Sequence, residues 1–219
     1  MLPPQAITRT LHAIIFMEMS KLYFRYGAMN SGKSTALLQV AHNYEERSQL
    51  VLVAKPAIDL KGDDTVVSRL GMSRKVDFLI RPTDDLRELF TAHVESVKEK
   101  TGSEVACLLI DEAQFLTSIQ VDQALDVAVR DGIPVLAYGI RTDFQTNSFT
   151  GSRRLFELAH SIEELKTVCR CGRKAIFNTR IDNGSFTFTG VQVAIDGVDT
   201  TYEALCAACY LRERDNSGV

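Results

Sequence analysis

Two rhythms of apolar and polar residues divide this chain. From residue 21 to about 165, short apolar runs alternate with stretches whose apolar positions recur every three or four residues. Short apolar runs bounded by turn residues read as buried strands, and the wider spacing reads as amphipathic helix. Lys21-Leu22-Tyr23-Phe24-Arg25-Tyr26 is an expected strand and Thr35 to His42 an expected helix. Gln49 to Ala54 is a second strand, stopped by Pro56. A helix is expected to open with Thr83 as its N-cap and acids in its first turn. Val105 to Ile110 and Ile133 to Tyr138 are further strands. Between them, Thr117 to Arg130 reads as helix, with Val121, Leu125 and Ala128 on one face and Gly132 ending it. Strands and helices in alternation, with apolar strands, imply an α/β fold whose parallel sheet is covered on both faces.

The rhythm changes after Leu165. Ala175 to Ile181 and Ser185 to Thr189 are strand-like and are joined across Asn183-Gly184, a strong hairpin signal. Four of the five cysteines fall here, as Cys169-Arg170-Cys171 and Cys206-Ala207-Ala208-Cys209 on either side of the hairpin. A segment this small has little core of its own, so a metal staple would help it fold. Four thiolates suit tetrahedral zinc. The C-x-C half is tighter than usual, and reduced, unliganded thiols are the other reading. Clustered cysteines point to a reducing, cytoplasmic setting, because a disulfide framework spreads its cysteines through a small secreted chain. Cys107, alone in an apolar run, reads as a core thiol. The expected organisation is an extension over 1–20 that is disordered or an overlong start, a domain over 21–165, a small domain over 166–212 and a tail over 213–219.

Composition narrows the function classes. The chain has 219 residues, 45% hydrophobic and 24% charged, with a net charge of −3. Between residues 166 and 219, seven Lys and Arg face six acids, so no basic surface for nucleic acid is expected. No apolar run reaches membrane-spanning length. Leu11 to Met17 is apolar but short and is followed by Glu18 without a clear small-residue cleavage site, so neither a signal peptide nor a membrane partner is expected. The four histidines have no ligand spacing with one another.

Candidate chemistry begins between the first strand and the first helix. Gly27-Ala28-Met29-Asn30-Ser31-Gly32-Lys33-Ser34 fits G-x-x-x-x-G-K-[ST], the phosphate-binding loop. The glycines let successive N–H groups curl round an anion. Lys33 would reach the β- and γ-phosphates, the Ser34 hydroxyl would ligate Mg²⁺, and the following helix would point its positive end at the phosphates. Leu108-Leu109-Ile110-Asp111-Glu112 places a carboxylate at the end of a strand next to the phosphate loop, where a Walker-B Asp helps hold Mg²⁺ directly or through water. Glu112 could activate water in an ATPase or take a proton from an acceptor hydroxyl in a kinase. Two acids capping the next helix is the bland alternative. Met29, Phe115, Ile140, Phe144 and Tyr202 sit beside loops near the sheet edge and could line an apolar slot for a nucleobase, or serve as core.

The motifs occur in a specific order: the phosphate loop, Lys55-Pro56-Ala57-Ile58-Asp59, Val67-Ser68-Arg69-Leu70-Gly71, Asp111 to Phe115, Tyr138 to Gln145, Cys171 to Ala175 and Tyr202 to Cys206. Over residues 21 to about 210 this set resembles the tetrameric, zinc-containing thymidine kinase family. The resemblance implies a P-loop NTPase (RecA-like) parallel sheet with a small C-terminal zinc-binding lasso domain. It implies transfer of the γ-phosphoryl group of ATP to the 5′-hydroxyl of thymidine, in a homotetramer. Glu112 matches the family's catalytic base. ATP would lie on Gly27 to Ser34 with Asp111 and Gln114, and Mg²⁺ near Ser34, Asp59 and Asp111. Phe115, Phe144 and Tyr202 match residues that enclose the nucleoside under a mobile lasso. Lys61 stands where Arg is common, and Ile195-Asp196-Gly197 replaces a more usual Ile-Gly-Gly. A P-loop ATPase with a zinc module acting on nucleic acid is the competing class, and a nucleotide-binding protein without catalysis is a third.

Overall fold

The computed structural model describes residues 20–57, 64–192 and 200–218. The 1–20 extension, Asp59, Lys61 and the 195–197 stretch therefore lie outside the described residues, apart from Ser20. The chain opens with β1 (Leu22–Tyr26), α1 (Lys33–Glu45) and β2 (Leu50–Pro56). A small hairpin, β3 (Thr65–Val67) and β4 (Ser73–Lys75), precedes β5 (Phe78–Ile80) and α2 (Leu86–Thr101). Then come β6 (Val105–Ile110), a 3₁₀ turn (Ala113–Phe115), α3 (Ser118–Val129), β7 (Val135–Gly139), α4 (Thr150–Leu158) and β8 (Ser161–Glu164). The sheet has six strands in the order β5-β2-β6-β7-β1-β8, and every pairing is parallel.

Strand side chains alternate between two cores, as a period of two requires. Leu52, Ala54, Leu108 and Ile110 face Leu86 and Phe90 of α2 and Val121 and Ala124 of α3. Val51, Val53, Cys107 and Leu109 face Leu37, Leu38 and Ala41 of α1. Cys107 is fully buried, as its apolar neighbours imply.

Two local expectations need correction. Thr83 does not cap α2. Asp84 closes a turn back on Arg81, and the Asp85 carboxylate accepts the Glu88 N–H at 2.9 Å, so the helix starts two residues later. Pro56 does not stop β2 from outside. It is the strand's last residue, paired with Ile80, a terminal position where a missing N–H is tolerated. For α3, Thr117 is the N-cap and forms a capping box with Gln120.

The remaining chain forms a small module: β9 (Thr167–Val168), β10 (Lys174–Ala175), β11 (Phe177–Asp182), β12 (Ser185–Thr187), β13 (Thr200–Leu205) and α5 (Ala207–Asn216). The expected strand over 175–181 splits at Ile176, because β10 pairs with β9 while β11 pairs with β12 and β13. Asn183 and Gly184 turn the hairpin with φ of 49° and 78°, the left-handed pair a two-residue turn needs. Phe188, Leu205 and Tyr210 make the module's core together with Cys169, Cys206 and Cys209. Ala28 of the phosphate loop is packed into the same core.

Candidate active site

The phosphate loop is shaped by close contacts. Its first N–H, on Gly27, donates to the Gly139 carbonyl of β7 at 3.2 Å. A side chain at Gly27 would put its Cβ 2.5 Å from the Leu165 carbonyl oxygen, so only glycine fits. Asn30 and Gly32 take left-handed conformations, φ 66° and 80°, and Gly32 then occupies the N-cap position of α1. A left-handed turn feeding a helix N-terminus converges N–H groups on one point and forms an anion site. Lys33 is buried there, its Nζ donating to the Ala28 carbonyl at 3.0 Å. Burial lowers its pKa, and the charges of Glu112 and Asp111 oppose that shift.

Asp111 follows the last residue of β6. The Ser34 hydroxyl donates to its Oδ2 at 3.3 Å, joining the phosphate loop to the strand end. Burial, aided by the negative charge of Glu112, pushes the Asp111 carboxyl up to about 6. A hydroxyl and a carboxylate side by side are hard oxygen donors of the kind Mg²⁺ takes.

Glu112 has a left-handed backbone, φ 50° and ψ 36°, a conformation that costs a non-glycine residue about 1 kcal/mol or more. Neighbours hold it there. Gln114 Nε2 donates to Glu112 Oε2, and Gln114 Oε1 accepts the Ile140 N–H at 3.2 Å. Gly139 makes room, since a Cβ there would lie 2.8 Å from Gln114 Oε1. Gln114 therefore has its amide committed to Glu112 and the β7 loop.

One cavity of about 960 Å³ connects these parts. Met29 to Ser34 line it together with Glu112, Gln114, Phe115, Ile140, Phe144 and Tyr202. All five residues expected to line an apolar slot are present. Gly27, Ala28 and Asp111 are not on its wall. Phe115 meets Phe149 edge-on at 5.3 Å, and the Arg180 guanidinium lies 5.0 Å from the centre of the Phe144 ring. Asn178, Gln192, Asp143 and Arg69 also line the cavity and were missed as site residues. Arg69 lay within a quoted motif, whereas Asn178 and Gln192 sit in strand-like and loop sequence with no signal of their own.

The cysteine cluster is built by a tight turn and by the first turn of α5, which Cys206 caps. Gly172, with φ 83°, lets its N–H donate to the Cys169 carbonyl at 2.8 Å, and this turn presents both sulfurs despite the C-x-C spacing. All four Sγ atoms lie within 4.8 Å of one another, with Cys171 at 3.6 Å from Cys169 and 3.5 Å from Cys206. Tetrahedral zinc with bonds of about 2.3 Å spaces its sulfurs by about 3.8 Å, so the donor set and the size fit zinc. The Cys209 backbone holds the Cys206 thiol down to about 6, while hydrogen bonding to Cys171 pushes Cys209 up to about 12. A divalent cation would displace the protons that remain.

The histidines are structural among the described residues. His42 pairs with Glu46 at 3.3 Å, His93 stacks on Phe78, and His160 accepts the Leu22 N–H.

Comparison with known proteins identifies the family. The thymidine kinase family model matches residues 20–210. Thymidine kinase of Legionella pneumophila (strain Paris) is 46% identical over 196 residues, covering 89% of this chain and 90% of that protein. Thymidine kinase of Haemophilus influenzae (strain 86-028NP) is 47% identical over 194 residues, covering 88% and 96%. That of Idiomarina loihiensis is 45% identical over 190 residues, covering 86% and 94%. The chain belongs to the thymidine kinase family.

Proposed function

We propose that this member of the family transfers the γ-phosphoryl group of ATP to the 5′-hydroxyl of thymidine, giving dTMP and ADP. The observation that carries this reading is one shared cavity. The phosphate loop, Glu112 and the apolar residues Phe115, Ile140, Phe144 and Tyr202 all line it.

The roles follow from position. The N–H groups from Asn30 onward and the N-terminus of α1 bind the β- and γ-phosphates, and Lys33 turns from the Ala28 carbonyl to meet them. Mg²⁺, held by Ser34 and Asp111, would neutralise charge on those phosphates. Glu112 accepts the proton of the 5′-hydroxyl while the 5′-oxygen bonds to the γ-phosphorus. The bond from that phosphorus to the β–γ bridging oxygen breaks, and ADP leaves. Gln114 keeps Glu112 aimed at the acceptor, rather than binding ATP itself. Phe144 and Tyr202 pack on the base, and the lasso between the two cysteine pairs would cover it and exclude water. Four cysteines holding zinc fix the base of that lasso. A homotetramer in the cytoplasm is part of the same proposal, and light scattering on the purified protein tests its assembly.

ADP release from ATP should require thymidine and should match dTMP formation one to one. If single-stranded nucleic acid stimulated ADP release and thymidine did not, the competing ATPase class would replace this reading. Among the described residues, no helix is long and apolar enough to cross a membrane.

A further inference from the structure

Asn178 belongs to β11 of the small module, yet its side chain reaches out of that module to two loops of the main sheet. Its Oδ1 accepts the Met29 N–H of the phosphate loop at 2.7 Å. Its Nδ2 donates to the Thr142 carbonyl at 2.8 Å. The residue is 3% exposed, so neither bond has water as a ready substitute. Met29 belongs to the phosphate loop and Thr142 to the loop that carries Phe144, and Met29 and Phe144 both line the cavity. One amide thus spans the two halves of the site.

We propose that Asn178 is a positioning residue that fixes the phosphate loop and the acceptor loop relative to each other. This rests on the phosphoryl-transfer reading above. The Met29 peptide shows why a strut is useful. Its N–H is held by Asn178 one residue before the left-handed turn at Asn30, so the acceptor on Asn178 sets how the loop enters that turn. On the other side, the Thr142 loop is closed on itself, with the Asp143 carboxylate accepting the Gln145 and Asn147 N–H groups at 2.9 and 2.8 Å and Thr142 bridged to Ser148. As a closed unit it is tied to the module by Asn178 to Thr142, Gln192 to Asp143, Gln145 to the Phe188 carbonyl and Tyr210 to the Phe144 carbonyl. Backbone pairing secures β11 against β13 in register, Asn178 opposite Ala204, so the strut has a rigid base. An amide suits the task because it offers one acceptor and one donor in a fixed plane. Displacement of reacting groups by about 1 Å is enough to slow a positioned transfer by orders of magnitude.

The two bonds can be cut separately. Asn178→Ala removes both, while Asn178→Asp keeps an acceptor for Met29 and turns a second acceptor on the Thr142 carbonyl. Calorimetric binding of a non-hydrolysable ATP analogue reads the first bond without reference to any acceptor. Steady-state kinetics, normalised to titrated active sites, read the second. The expected result is ATP-analogue affinity weakened about tenfold in Asn178→Ala but within about threefold of wild type in Asn178→Asp. The KM for thymidine should rise about tenfold in both. A merely structural residue would lower the melting temperature and the active fraction in both variants. It would leave the analogue affinity and the thymidine KM of the active molecules unchanged, and that outcome overturns the proposal. If either variant fails to fold, the other still decides the matter. If the wild type does not phosphorylate thymidine at all, the functional reading fails, while the analogue arm still reports on Asn178.

Discussion

Gly27 has no room for a side chain, with a backbone oxygen 2.5 Å from where its Cβ would be. Gly27→Ala should therefore displace the loop from Leu165, lowering stability by about 2 kcal/mol or more. Thermal melting and ATP-analogue binding should both report the loss, and an unchanged melt would contradict the packing. Glu112 carries a separate expectation. Glu112→Gln keeps the size of the side chain but removes the proton acceptor, so kcat should fall about 10²–10⁴-fold with ATP-analogue affinity retained. A kcat within threefold of wild type would remove Glu112 as the base. Lys33, Ser34, Asp111 and Glu112 were legible in the sequence because phosphate chemistry demands those residue types at fixed spacing. The support under Glu112 was not. Gln114 and Gly139 act through a contact between a 3₁₀ turn and a neighbouring strand, which no local pattern encodes. Asn178 was hidden for the same reason, as its partners lie 149 and 36 residues away.

At the scale of elements, the start of α2 depends on Asp85. Its carboxylate caps the helix through Glu88 and also accepts from Gln123 of α3. Asp85→Ala should cost about 1–2 kcal/mol, read as a lower urea midpoint at constant slope. Thr83→Ala should have almost no effect, which separates the two candidate caps. The strands that make up the sheet's centre were readable because they are continuous apolar runs buried on both faces. α4 was not, because its buried face includes Gly151 and Ser152 beside Leu155. Gly151 is there for close approach, since a Cβ would sit 2.5 Å from the Ala113 carbonyl oxygen. The apolar side of α4 is carried by Leu155, Phe156 and Leu158 in the second half alone, too short a stretch to announce a nine-residue helix. β8 was missed for a different reason. It is the exposed edge of the sheet, and Ser161-Ile162-Glu163-Glu164 has the polar composition an edge favours.

At the scale of the whole molecule, the small module packs against the phosphate loop and, in the proposed function, covers the acceptor as well. Ala28 packs in its core beside Cys169 and Cys206, and that core is small enough to depend on a metal. The purified protein should carry close to one zinc per chain, and chelation should lower the melting temperature and weaken ATP-analogue binding together. Loss of zinc with unchanged nucleotide affinity would show that the module and the phosphate loop are independent. The central claim, that an anion cradle and a nucleoside slot share one cavity across Glu112, is tested most directly by the acceptor it selects. The decisive measurement is kcat/KM for ATP-dependent phosphorylation of thymidine, deoxyuridine and deoxycytidine by the full chain. Thymidine should be preferred over deoxycytidine by about 10²-fold or more, because reversed donors and acceptors leave buried groups unpaired. Deoxyuridine, lacking one methyl group, should lose only about tenfold. Equal use of deoxycytidine, or no transfer to any of the three, would contradict the account.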